Sequence, residues 1–243
     1  MAAMPESVEG FKGLQEQQPA AGEGGKVKYY YFGLQARGLP GLLTLEVGGV
    51  DYEGHRVEFG DWKAMKESGV CPMGYLPLLI LPDGTEINET CAITNIAGHL
   101  AKLKGETLRD CAISEMLSSK AAEVFNDAAK TFPRMKGAKS PEEIEQGKVW
   151  VETDLKKVLD LFEALCKKNE ALYKEGKFTT SGKTCGELHL FSTLHQIQGA
   201  GAALPPGLGA FYKRLAGDEA VKKVLSGGTQ MGEQVQYLTP FDM

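Results

Sequence analysis

A chain of 243 residues with 42% hydrophobic and 24% charged side chains is long enough for one large domain or two modest ones, and has an ordinary soluble composition. Its 27 basic and 32 acidic residues give a net charge of −5, which excludes bulk attraction to nucleic acid or anionic lipid. No apolar run approaches the roughly 18 residues needed to span a bilayer.

The first 26 residues are rich in Gln, Ala, Gly, Glu and Pro, without helical or strand period, and read as a flexible extension. They contain no Arg and lack the apolar core of a secretory signal. Lys26 to Phe32 is β-prone, and Ala36 to Val47 has helical spacing, with Pro40 tolerable only in a first turn. Gly48-Gly49 stops that helix, and Tyr52 to Phe59 reads as a second strand, with Val57 and Phe59 on one face. A loop is expected around Trp62. Leu76 to Leu81 is buried-strand material, Pro82-Asp83-Gly84-Thr85 a hairpin turn and Glu86-Ile87-Asn88 a returning strand. Ile93, Ile96, Ala97, Leu100 and Leu103 mark the next helix. The order βαβ then ββα describes an α/β unit over residues 27–104.

From 107 to 243 the pattern is helical throughout. Ile113, Met116, Leu117, Val124, Phe125 and Ala128 share one face of a long helix that stops before Pro133, and Met116, Phe125 and Met135 read as core residues. Ser140-Pro141-Glu142-Glu143 is a capping box opening a second long helix with a stripe from Ile144 to Phe162. Thr184-x-x-Glu187 is another capping box, and short helices follow at about 208–216 and 218–225. The five cysteines (71, 91, 111, 166, 185) are scattered and form no CxxC pair, so they read as reduced thiols of a cytoplasmic protein. The four histidines lack metal-ligand spacing, and Gly199–Gly209 lacks a phosphate-cradling pattern.

Five markers in order make the sequence resemble the cytosolic glutathione transferases, most closely the sigma class. They are Tyr31-Phe32 with Arg37, Asp61-Trp62 with Lys66, Gly74-Tyr75-Leu76-Pro77, Glu89-Thr90, and Thr184-x-x-Glu187. The resemblance covers Lys26 to about Gly227, and leaves the N-terminal extension and the extreme C-terminus outside. It implies a thioredoxin-like N-terminal domain that binds glutathione, followed by an all-helical C-terminal domain. It further implies that glutathione is a co-substrate, with no other cofactor and no metal. A hydrophobic electrophile is the second substrate, the activity belongs to detoxification, and the protein is a homodimer with no nucleic-acid or membrane partner.

The same resemblance assigns roles. Tyr31 is the phenol that keeps the tripeptide's sulfur anionic and Arg37 orients the site. Tyr29 shares a strand face with Tyr31 while Tyr30 points the other way, and Tyr30 is the alternative if the register differs. A cis Leu76–Pro77 bond presents the Leu76 backbone to the cysteinyl unit, with Tyr75 beside it acting mostly through its backbone. Thr90 grips the γ-glutamyl carboxylate at a helix N-terminus and Glu89 accepts from the ammonium. Trp62 and Lys66 meet the glycyl end. Bland readings stand beside these: a trans turn proline, a plain helix cap, a packed loop aromatic, an exposed arginine. Sigma members carry an Asp early in the first long helix that reaches the partner's glutathione; here Ser114 and Glu115 fall at that place. Cys71 is not at the position of the family's nucleophilic cysteines. A glutathione-dependent isomerase or peroxidase, of the prostaglandin-synthase kind, and a non-catalytic relative that kept the fold are the alternative functions.

Overall fold

The computed structural model describes residues 25–132 and 140–240. The readings placed on residues 1–24, Pro133 and Met135 lie outside them. Strand β1 (Val27–Tyr31) alternates buried and exposed side chains, as a half-covered strand must. It is followed by the short β2 (Leu34–Gln35) and by α1 (Leu39–Val47), whose Pro40 sits in the first turn and whose end is capped at Gly48. Strand β3 (Tyr52–Arg56) pairs in parallel with β1, Val27 opposite Tyr52. β4 (Leu78–Ile80) runs antiparallel to β1, and β5 (Glu86–Ile87) antiparallel to β4. The sheet order is therefore β3-β1-β4-β5, the mixed sheet expected from βαβ-ββα. The β4–β5 turn closes with the Leu81 N–H donating to the Thr85 carbonyl at 2.9 Å, and Asp83 accepts from the Thr85 N–H.

Two local expectations differ. The second strand ends at Arg56, so Val57 is buried while Phe59 is 54% exposed rather than on the same covered face. Trp62 opens a helix, α2 (Trp62–Glu67), in place of a loop. With none of its residues fully buried, α2 carries no amphipathic stripe that periodicity could detect.

Helix α3 (Thr90–Leu100) covers the sheet, and α4 (Leu108–Thr131) begins the helical region. The Thr107 hydroxyl caps α4. α5 (Pro141–Trp150) passes through a single π turn (Val151–Leu155) into α6 (Lys156–Lys167), so the second long helix is continuous but loses its register midway. α7 (Glu170–Lys174), α8 (Cys185–Gly199), α9 (Pro206–Ala216) and α10 (Glu219–Leu225) follow. Both capping boxes form, at Ser140/Glu143 and at Thr184/Glu187. The Glu187 carboxylate also collects the backbone N–H groups of Phe178 and Thr179. That satisfies a buried charge with donors on every side.

The α4–α8 contact explains one failed core assignment. Gly186 lies so close to α4 that a Cβ there would fall 1.8 Å from the Ser114 carbonyl oxygen. Close approach gives the buried line of α4 to Asp110, Cys111, Ser114, Leu117, Ser118 and Ala121, and turns Met116 outward, 45% exposed. The chain after residue 107 is not wholly helical either: β6 (Val235–Gln236) returns to pair in parallel with β2. Among the described residues no helix is long and apolar enough to cross a membrane.

Candidate functional site

The end of β1 fixes the first group. Tyr29 and Tyr31 share the buried face, and Tyr30 lies on the opposite one, stacked on His55 with centroids 4.3 Å apart. The Tyr29 hydroxyl donates to the Gly38 carbonyl at 2.5 Å, tying the strand to the start of α1. The Tyr31 ring packs against Gly38 so closely that a Cβ on residue 38 would sit 2.2 Å from its Cδ1. Burial pushes the Tyr31 hydroxyl up to about 12, and the Arg37 guanidinium with the backbone N–H groups of Gly38 and Arg37 pull partly against that. At neutral pH the group is therefore a protonated phenol, a donor and not a base. Arg37 itself is exposed; it donates to Asn126 Oδ1 at 2.9 Å and lies 5.8 Å from the Phe125 ring, which ties the N-terminal unit to α4.

The second group is the loop before β4. Leu76–Pro77 is cis, and among the described residues no backbone hydrogen bond involves Leu76. Its neighbours are held firmly. Asn88 Nδ2 donates to the carbonyls of Tyr75 at 2.9 Å and Pro77 at 3.0 Å, and Cys71 Sγ donates to the same Tyr75 carbonyl. The Leu76 backbone is thus framed on both sides and left unpaired in the middle, an open rung of a strand. Sequence reasoning missed Asn88, which it treated as the last residue of a short strand; a buried amide at a strand end is the only signal it offered. Cys71 is buried and serves this loop.

Glu89 follows Asn88 with φ 73° and ψ 124°, a conformation that costs a side-chain-bearing residue about 1–3 kcal/mol and is held by its surroundings. It turns the chain into α3, whose first residue is Thr90. The first-turn N–H groups of that 11-residue helix and its dipole favour an anion there. The Glu89 carboxylate accepts from the Tyr75 hydroxyl, so the Tyr75 side chain, expected to be a bystander, braces the loop against the helix.

Trp62 and Lys66 form the third group. Trp62 meets the Phe32 ring edge-on at 5.6 Å, and Phe32 stacks on Phe59 at 4.8 Å, which places α2 beside the end of β1. Lys66 is exposed, has its Nζ 5.6 Å from the Trp62 ring centre, and makes no ion pair among the described residues. A Cβ on Gly74 would lie 3.7 Å from Lys66 Cε, so this ammonium borders the loop that carries Leu76.

Between the two regions a cavity of about 80 Å³ brings together Arg37, Glu89 and Thr90 with Phe125 and Asn126 of α4 and His189 of α8. Tyr31, Trp62, Lys66 and the Tyr75–Pro77 loop stand outside its lining. His189 is fully buried against the Ser118 hydroxyl, and burial drops its pKa to about 3, so it stays neutral. Ser114 is also buried, its Oγ accepting from the Gly186 N–H at 3.0 Å; it faces α8 and is unavailable to a partner's ligand. Glu115 is exposed and engaged by Asn95 and Lys104.

No protein-family model matches the chain. It is 30% identical over 177 residues to the class-mu 28 kDa glutathione S-transferase isozyme of Schistosoma japonicum, covering 70% of this chain and 80% of that protein. It is 28% identical over 106 residues to the hematopoietic prostaglandin D synthase of Gallus gallus, covering 44% of this chain and 50% of that one. Among solved structures, the Fasciola hepatica sigma class transferase superposes with a TM-score of 0.70 at 23% identity, over 83% of this chain and 95% of its own. The length and level of the first match, together with the shared fold, show that the chain belongs to the glutathione S-transferase family.

Proposed function

We propose that this protein binds glutathione between the end of β1, the Leu76 loop and the start of α3, and joins the intact tripeptide through its sulfur to hydrophobic electrophiles. The framed, unpaired Leu76 backbone carries this reading. A peptide can add to that open rung as one strand adds to another, with the Leu76 N–H and C=O pairing with the cysteinyl unit. The γ-glutamyl carboxylate then lies at the Thr90 N-terminus of α3, its ammonium reaches the Glu89 carboxylate, and the glycyl carboxylate meets Lys66 beside Trp62.

In that pose the sulfur falls near the Tyr31 hydroxyl. A free thiol titrates near 8.5 and is mostly protonated at neutral pH. The thiol gives its proton to solvent, the Tyr31 O–H donates to the resulting anion, and the Arg37 guanidinium adds favourable field. The thiolate forms an S–C bond to an electrophilic carbon held close by, and an aryl halide then expels its halide with the carbon–halogen bonding pair, so proximity and thiolate stabilisation supply the catalysis. With that activity goes the expectation of a sigma-like, homodimeric, cytoplasmic and detoxifying enzyme. Purified protein assayed with an aryl halide and glutathione, beside calorimetry with glutathione alone, tests it. Conjugation with saturable glutathione binding is expected; absence of both would overturn it.

A second reading shares this site: glutathione-assisted isomerisation of an endoperoxide, favoured by the similarity to the Gallus gallus prostaglandin D synthase. Assay with an endoperoxide separates the two, since only the second reading expects its turnover without net consumption of glutathione.

A further inference from the structure

Arg37 lies between β2 and α1, and the residue that meets its side chain belongs to the helical unit. The backbone here is closely packed: Gly38, the next residue, sits so near the Tyr31 ring that a Cβ on it would lie 2.2 Å from Cδ1. The side chain, by contrast, is exposed and finds its partner on α4. Its Nη2 donates to Asn126 Oδ1 at 2.9 Å, and its guanidinium carbon stands 5.8 Å from the Phe125 ring centre. A guanidinium only donates, so the amide presents its oxygen to this contact. Both residues border the cavity of about 80 Å³ that Glu89 and Thr90 also line.

The charges around this contact leave the cation uncompensated. Among the described residues Arg37 makes no ion pair, although Glu89 lines the same cavity. The α4 acids on either side of Asn126 are paired along their own helix, Glu123 with Lys120 and Asp127 with Lys130 at 3.0 Å. Of the other titratable groups on the cavity wall, burial raises the Cys91 thiol and keeps His189 neutral. The phenols nearby are Tyr31, and Tyr237 with its ring centre 6.1 Å from that of Phe125. An amide at position 126 thus gives the guanidinium an acceptor oxygen with no opposing charge. An aspartate there would bind it more strongly and cancel its field. Without any acceptor, the long arginine side chain regains its rotamer freedom, and Glu89 offers it a carboxylate on the same cavity wall.

We propose that Asn126 is a positioning residue for the reactive sulfur: from the helical unit it holds the Arg37 guanidinium in place without neutralising it, and so sets how strongly ionisation of the bound thiol is favoured. The inference rests on the transferase reading above and adds a residue of α4 to the same site. Its sign follows from charge alone. A nearby cation favours the thiolate over the thiol, so weakening its field raises the thiol's pKa and lowers the reactive fraction at every pH below it. Asn126 touches neither the sulfur nor its proton; it acts through Arg37.

The test titrates the ultraviolet absorbance of the thiolate in glutathione-saturated wild type, Asn126→Ala, Asn126→Asp, Arg37→Ala and the Arg37→Ala/Asn126→Ala double variant, with calorimetry for glutathione on each. Asn126→Ala is expected to raise the thiol's pKa by about 0.5 to 1, which lowers the conjugation rate about three- to tenfold at a fixed pH below it. Asn126→Asp keeps the acceptor and the shape of the side chain, and is expected to raise the pKa by at least as much. Being nearly isosteric, it also carries the test if the alanine variant fails to fold. Adding Asn126→Ala to Arg37→Ala is expected to change nothing further. An unchanged titration in either single variant at position 126, or an equal further shift in the Arg37→Ala background, overturns the role of Asn126 and leaves the transferase reading standing. A wild type that binds no glutathione overturns the transferase reading itself.

Discussion

Replacing Tyr31 by Phe removes one oxygen and leaves the ring in its slot against Gly38, so the change isolates the hydroxyl. In the free protein that hydroxyl is buried, with the Arg37 charge and the Arg37 and Gly38 N–H groups favouring its anion, and in the proposed complex it donates its proton to the sulfur. A hydrogen bond to a charged acceptor contributes about 1.5–3 kcal/mol. At about 1.36 kcal/mol per pKa unit, losing it raises the pKa of the bound thiol by about one to two. Below that pKa the conjugation rate falls by about 10- to 100-fold at fixed pH, and the variant recovers as pH rises. The wild-type rate also rises with pH as the thiol ionises, and it has no falling limb from Tyr31 until pH nears 12, because only there does the phenol lose the proton that it donates. Titrating the ultraviolet absorbance of the thiolate in the saturated glutathione complex measures the shift directly. An identical titration in Tyr31→Phe would refute the reasoning, whatever happened to turnover.

The remaining expectations concern two crowded glycines, one glycine with open space beside it, and a cation that makes no ion pair among the described residues. Gly38→Ala drives a methyl into the Tyr31 ring, and should cost about 1–3 kcal/mol in chemical denaturation while also raising the bound thiol's pKa. Gly186→Ala meets a backbone oxygen instead of a movable side chain, so a loss of about 3 kcal/mol or more is expected. Gly209→Ala, inside α9 with nothing within 4 Å of the new methyl, should stabilise by about 0.5–1 kcal/mol in the same assay. Lys66→Ala should raise the KM for glutathione by about 3- to 10-fold with kcat nearly unchanged, since it removes a contact made equally before and during reaction; a fall in kcat alone would contradict the placement of Lys66.

Much of this architecture was legible because it rests on strong local signals. The alternation of β1 separated Tyr29 and Tyr31 from Tyr30, the Pro-Asp-Gly-Thr turn fixed the β4–β5 hairpin, and two capping boxes marked the starts of α5 and α8. The features that were not legible depend on tertiary approach. Ser114 and Gly186 make a close helix crossing that no hydrophobic count rewards, and Met116 was drawn into the core by its apolar side chain alone. The π turn shifts the phase of a stripe that is otherwise regular. Asn88 owes its importance to carbonyls 11 and 13 residues away. β6 is two residues long and exists because β2, equally short, offers it an edge. Of the candidate site, Arg37, Glu89 and Thr90 converge on one cavity, whereas Tyr31, Lys66 and the Leu76 loop are related through β1 and α2.

A crystal structure of the protein with glutathione bound is the most direct test of the proposed chemistry. The expected result places the sulfur within about 3.5 Å of the Tyr31 hydroxyl oxygen and the cysteinyl backbone paired with Leu76. A sulfur beside Tyr30, or one beyond hydrogen-bonding reach of Tyr31 with the Leu76 backbone still unpaired, would contradict it.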